Sequence, residues 1–191
     1  VRITGDCPII DSGLVDSIIT KYEEGNVDYA SNTNPPTYPD GLDIEVFSFE
    51  SLKIAHENSN DPYDREHVTP YIKTNDQFCR INILNEINYS SERWTVDEHE
   101  DFLVIKSIID HFKPNLDFSW TEVLKLLKSN PEYFMANKKI NRNEGASMGT
   151  GQKLWKRARK IIPGGNMLLS KRAEMFLPDK WPAYYEKSKG C

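Results

Sequence analysis

The sequence predicts an α/β fold, a sheet carrying helices on its faces. Short β-branched and aromatic runs alternate with stretches whose apolar residues recur at helical spacing, from Val1 to about Asn143. Breaks rich in Pro, Gly and Asn separate them, the longest being "NTNPPTYPDGLD". Apolar residues form 38% of the 191 and aromatic ones 11%, enough for a core and too much for global disorder.

The opening "VRITGDCPII" reads as a buried strand and its exit loop. In "SGLVDSIITKYEEG", Leu14, Val15, Ile18, Ile19 and Tyr22 share one stripe of a helix. Asp11 or Ser12 can cap that helix, and Gly25 can end it. "VDYAS" is a short strand, Val27 to Ser31, and the Pro-rich loop behind it is long enough to be functional. "IEVFSF" alternates like a strand and leads into "ESLKIAHENS", a helix with Leu52, Ile54 and Ala55 inward. "DPYDREHVTPYIKTN" begins polar, and Pro70 prevents one unbroken helix there. "FCRINILNE" and "RWTVD" read as strands, the second reaching an acid. "EHEDFLVIKSIIDHF" is an amphipathic helix with Phe102, Ile105, Ile108, Ile109 and Phe112 inward. A last helix, "SWTEVLKLLKSNPEYF", is capped by Ser119 and stops before Pro131.

The net charge of -5 conceals a shift along the chain. Residues 1–140 hold 13 Lys/Arg against 25 Asp/Glu, whereas residues 141–191 hold 11 against 4. The change marks a domain boundary near "NRNEGASMGTGQ", dividing residues 1–143 from 144–191. The tail's Lys and Arg lie at helical spacing among apolar residues, the pattern of a solvated helix face rather than a nucleic-acid surface. No run approaches the roughly 20 apolar residues that span a bilayer. Cys7, Cys79 and Cys191 are odd in number, widely spaced and without metal-type spacing, which fits a reducing, cytoplasmic setting.

Ligands of open α/β sheets sit at the carboxyl ends of strands. Asp6 and Asp97 each fall where a strand should end, and two such acids could share a divalent cation, Mg²⁺ when phosphates complete the shell. The alternative is that each Asp caps a helix or turn. Five blocks decide the weighting: "TGDCPIID", "DYASN", "YPDGLDIEVFSFESL", "DREHVTPYI" and "RWTVDEHEDF". In this order, over about residues 1–143, they resemble the cytidylyltransferase family, in its spore-coat-polysaccharide and CMP-sugar-synthetase-like branch. The resemblance implies a Rossmann-like nucleotidyltransferase that joins CTP to a sugar hydroxyl, giving a CMP-sugar and pyrophosphate. By position in those blocks, Asp6 and Asp97 resemble the family's two metal-coordinating, catalytic acids.

The intervening blocks then look like the sugar side of the pocket. Asp43 and Glu45 alternate along "GLDIEVF" and can face one side of a strand. Arg65, Glu66 and His67 offer donors, an acceptor and a titratable ring to hydroxyls or a sugar carboxylate, and Arg93 can contact phosphate or sugar. For each, a structural salt bridge or loop hydrogen bond is the alternative. His56, His99 and His111 lie on helices and are expected to be surface or core residues.

Members of this family carry a strand and a phosphate-cradling loop ahead of the acid that Asp6 resembles. The chain is therefore expected to begin inside a longer protein, its sheet lacking its first strands and its activity lost or weak. The tail, from "GTGQKLWKRARKIIPGG" onward, resembles the first segment of class III, glutamate-1-semialdehyde-type aminotransferases over about residues 146–191. It is expected to be a helical and extended appendage. No segment matches that family's Schiff-base lysine, so pyridoxal phosphate is expected only in the remainder of such a module. The resemblances together imply a bifunctional, homo-oligomeric enzyme of polysaccharide biosynthesis. A non-catalytic scaffold attached to an aminotransferase is the alternative.

Overall fold

The computed structural model describes residues 1–140, together with 142, 158, 159 and 161. The chain divides into two units, Val1–Ile140 and Asn141–Cys191. Apart from residues 158, 159 and 161, the expected helical and extended appendage, with Lys153, Lys171 and Lys187, lies outside the described residues.

Asp11 starts the first helix, α1 (Ser12–Gly25), by accepting the Leu14 N–H with its side chain. Gly25 remains helical, and Asn26 makes the turn at φ 45°, ψ 49°. Asn tolerates this left-handed conformation because its short polar side chain bonds locally. The sheet follows with β1 (Tyr29–Ser31) and β2 (Glu45–Phe47), then α2 (Phe49–Asn58) under a Ser48 cap. Pro62 and Pro70 each sit in a first helical turn, dividing the next stretch into α3 (Pro62–His67) and α4 (Pro70–Thr74). The last strand is β3 (Arg80–Asn82), ahead of α5 (His99–Phe112), α6 (Trp120–Ser129) and a closing 3₁₀ turn, Pro131–Phe134.

The sheet is mixed, in the order β2-β1-β3. Ala30 pairs antiparallel with Val46 and parallel with Ile81, so β1 is the central strand. Its successive side chains enter opposite faces. Ala30 belongs to a large core with Ile18, Ile44, Trp94, Val104 and Ile108, under α1, α5 and α6. Tyr29 belongs to a smaller one with Ala55, Ile72 and Phe78, under α2 and α4. Helices thus cover both faces, as the alternation of the sequence predicts.

Three expected strands shorten to three residues each, and the other two reduce to single bridges. The opening segment is extended but bridges only once, Arg2 antiparallel to Glu45. "RWTVD" likewise bridges once, Asp40 parallel to Arg93. One backbone and one side-chain bond join the two segments: Val96 N–H donates to the Asp6 carbonyl at 2.9 Å, and the Thr95 hydroxyl donates to the same oxygen at 3.0 Å. Phe102, expected inward, is 51% exposed. The buried stripe of α5 is Asp101, Val104, Ile105 and Ile108, because an ion pair turns Asp101 into the core and sets the roll of the helix.

Candidate active site

The site is built where the opening segment meets the extended segment Arg93–Asp97. Asp6 is half-buried, and its Oδ2 accepts a second hydrogen bond from the Thr95 hydroxyl at 3.2 Å. The adjacent Cys7 thiol is buried, lies 3.3 Å from Thr4 Oγ1 and reaches Asp6 Oδ1 at 3.8 Å. Burial pushes this thiol up to about 11; the Thr4 contact opposes the shift, and the charges of Asp6 and Asp43 add to it. Cys7 therefore stays neutral at ordinary pH, and Asp43 shares the electrostatic neighbourhood of Asp6.

Val96 follows Thr95 along the ladder, so Asp97 is the next residue beyond the bond to Asp6. The Asp97 side chain is 53% exposed, and its Oδ2 accepts from Arg93 Nη2 at 2.7 Å. Arg93 is itself buried. Its Nε and Nη2 grip both oxygens of Asp101, each at 2.9 Å, and Nη1 reaches Asp40 at 2.9 Å. Burial disfavours the guanidinium charge, but hydrogen bonds to Asp101 and Asp97 outweigh it and keep Arg93 protonated. Asp101 feels the same opposition: burial pushes its carboxyl up, while Arg93, Asn137 and two backbone N–H groups hold it below the usual carboxylate range.

Gly41 permits this arrangement. It adopts φ +100°, and a Cβ there would lie 2.5 Å from the Trp94 carbonyl carbon. Only a residue without a side chain lets the Pro-rich loop approach closely enough for Asp40 to pair beside Arg93.

The other expected site residues lie elsewhere or are already engaged. Glu45 is 3% exposed and accepts from the Lys73 ammonium at 2.7 Å, Tyr29 Oη at 2.5 Å, the Thr69 hydroxyl at 2.8 Å and Arg2. Burial pushes Glu45 up, and Lys73 with the hydroxyl donors brings it below its ordinary value. Arg65, Glu66 and His67 are on α3. Arg65 Nη1 contacts His56 at its Nδ1, 3.2 Å, and its carbonyl, 3.1 Å, beside a cavity of about 390 Å³ floored by Leu52, Ala55, Val68 and Tyr71. The His67 ring packs 4.3 Å from Tyr63 between centroids, and Glu66 is exposed. His56, His99 and His111 are exposed on helices.

Sequence reasoning missed Asp40, Thr95, Asp101 and Asn137 around the site. Asp101 carried a signal, an acid inside the apolar stripe of an amphipathic helix. Asn137 carried none. Among the described residues, no group of three or more His, Cys, Asp or Glu side chains could by itself hold a metal ion. No described helix is long and apolar enough to cross a membrane.

A mixed sheet with helices on both faces makes this an α/β protein, and comparisons place its fold. The family profile described as Cytidylyltransferase matches residues 1–140. A cytidylyltransferase structure from Leptospira borgpetersenii serovar Hardjo-bovis superposes with a TM-score of 0.66 at 33% identity, covering 70% of this chain and 57% of that one. The chain belongs to the cytidylyltransferase family. An uncharacterised protein of Methanocaldococcus jannaschii, MJ1063, is 35% identical over 147 residues, 75% of this chain and 57% of that protein. The spore coat polysaccharide biosynthesis protein SpsF of Bacillus subtilis is 29% identical over 136 residues, 69% of this chain and 55% of the relative. The chain thus spans a little over half the length of these relatives.

Proposed function

We propose that residues 1–143 are part of a sugar cytidylyltransferase module, transferring CMP from CTP to a sugar hydroxyl and releasing pyrophosphate. The observation that supports this most is the hydrogen bond from Val96 N–H to the Asp6 carbonyl, which makes residues 6 and 97 neighbours where two chain segments meet. Their donor chemistry suits Mg²⁺, a hard ion that takes one or two carboxylates and leaves its other positions to water and phosphate. Asp6 and Asp97 would be those ligands. When bound, the ion supplies charge neutralisation for the triphosphate and the leaving pyrophosphate.

In this reading Asp6, steadied by Thr95, and Asp97, steadied by Arg93, would hold the ion and through its charge orient the α-phosphate for in-line attack. The sugar oxygen bonds to the α-phosphorus, the bond to pyrophosphate breaks, and the hydroxyl proton passes to solvent. Asp43, Arg65, Glu66 and His67 remain candidate contacts for sugar hydroxyls or a carboxylate. Glu45 and Arg93 act instead through the residues they hold. His67 is not needed as a base where metal and positioning carry the transfer.

The likeness to SpsF supports a product destined for surface polysaccharide. The likeness of the tail supports a second, pyridoxal-phosphate aminotransferase module in one homo-oligomeric polypeptide, its Schiff-base lysine downstream. Free Cys7 and Cys79 suit a reducing cytoplasm.

In the full-length protein, Asp6→Asn or Asp97→Asn should cut CTP-dependent pyrophosphate release at least ~100-fold, the scale of losing one group that stabilises transition-state charge. The circular dichroism spectrum should not change. Retained turnover in either variant would refute the metal assignment, and a wild-type protein without CTP-dependent turnover would favour the non-catalytic scaffold.

A further inference from the structure

We propose that Asp101 and Asn137 are positioning residues, which set the orientation of the Asp97 carboxylate through Arg93; this rests on the reading of Asp97 as a metal ligand. Asp97 ends an extended segment, and its side chain is half in water. Left to itself, such a carboxylate samples several rotamers, and ordering it on binding costs free energy. Two holds remove that freedom, and both end on Asp101.

The first hold is on the backbone. Asp101 Oδ2 accepts the N–H of Asp97 at 3.1 Å and that of Glu98 at 2.9 Å, fixing the loop that enters α5. The second is on the side chain. Arg93 donates to Asp97 Oδ2 while the other edge of its fork is locked, bidentate, on Asp101. A planar guanidinium held at two points cannot rotate without breaking both bonds. The aim of its remaining edge is therefore set by Asp101.

Asn137 braces this assembly from the far end of the folded unit. Its Nδ2 donates to Asp101 Oδ1 at 2.9 Å and to the Arg93 carbonyl at 2.9 Å. One amide thus ties the main chain of Arg93 to the carboxylate that its side chain grips. Asp101 and Asn137 are 0% and 3% exposed, so neither can meet substrate directly. Arg93 also pairs with Asp40, so one cation serves three carboxylates. Asp97 is the most exposed of the three.

The test compares Asn137→Ala, Asp101→Asn and Asp97→Asn in the full-length protein, with direct Mn²⁺ titration in the presence of CTP followed by electron paramagnetic resonance. Asp101→Asn strips charge from a buried pair and risks the fold, so Asn137→Ala carries the comparison. Loss of an outer-shell partner costs about 10–100-fold in metal affinity, and Asn137→Ala should fall in that range while its unfolding stays cooperative. The Mg²⁺ concentration for half-maximal turnover should rise in step, with kcat at saturating Mg²⁺ changing less. Wild-type Mn²⁺ affinity in a folded Asn137→Ala, beside lost affinity in Asp97→Asn, would overturn the positioning role and leave the metal site standing. Wild-type affinity in Asp97→Asn itself would overturn both.

Discussion

Glu45 shows what a single buried carboxylate requires. Four donors from three separate parts of the chain converge on it, two of them cationic. Taking a carboxylate out of water costs several kcal/mol, and such a site persists only when its lone pairs are filled. Removing it leaves Lys73 and Arg2 facing each other and two hydroxyls without their acceptor. Glu45→Ala should therefore destabilise the protein by about 3–5 kcal/mol, measured by urea denaturation, with CTP-dependent turnover per folded molecule changed far less than in Asp6→Asn. The alternation of Asp43 with Glu45 was legible because strands have a period of two. That Glu45 serves packing was not, since Tyr29, Thr69 and Lys73 lie 16, 24 and 28 positions away and only the fold gathers them. Asp6 and Asp97, whose role is proposed, drew attention for the opposite reason. Each sits at the end of its own strand pattern, a position visible in one stretch of sequence.

Among the elements, helices were read more closely than strands. The span of α1 and the Ser119 cap of α6, with Glu122 reciprocating on the Ser119 N–H, follow from local spacing and capping chemistry. Strand lengths depend on partners elsewhere, so Val1–Asp6 and Arg93–Asp97 looked longer than their single bridges allow. The roll of α5 was likewise hidden, because the ion pair that turns Asp101 inward cannot be read from an apolar stripe alone. The Pro-rich loop gives a sharper test of element geometry. At Gly41 a methyl group would collide with the Trp94 backbone and would also oppose a φ of +100°. Gly41→Ala should cost well over ~1 kcal/mol by thermal denaturation, beyond the usual penalty for Ala at positive φ. It should also weaken Mn²⁺ binding, since the loop carries Asp40 to Arg93.

For the whole molecule, buried acids set the pH range of stability. Glu45 and Asp101 are held below their ordinary values of 4.5 and 3.8, so the unfolded chain binds protons first as pH falls. Their stabilisation is complete above that ordinary range and disappears as pH drops through the lower folded values. Cys7 acts at the other limit. Its thiol ionises near 9.0 when unfolded but only at about 11 when folded, so stability declines as pH rises across that interval. Unfolding midpoints followed across pH should form a plateau bounded by these two slopes. Glu45→Gln should reduce the acid slope, with Asp101 keeping the rest, and Cys7→Ser should reduce the alkaline one, with Tyr29 and Tyr38, also pushed up by burial, keeping the rest. The family was legible from five ordered blocks, whereas the cage around Asp97 was not, since its last member lies beyond all of them.

That placement of Asn137 has a consequence for biosynthesis. Asn137 lies 36 residues after Asp101 and is the residue that ties Asp101 to the Arg93 main chain. At translation rates of 5–20 residues per second, about two to seven seconds separate the appearance of the two partners. During that interval the nascent chain carries its acids without their final clasp, so the geometry proposed to hold an ion is completed only as the last turn of this unit leaves the ribosome.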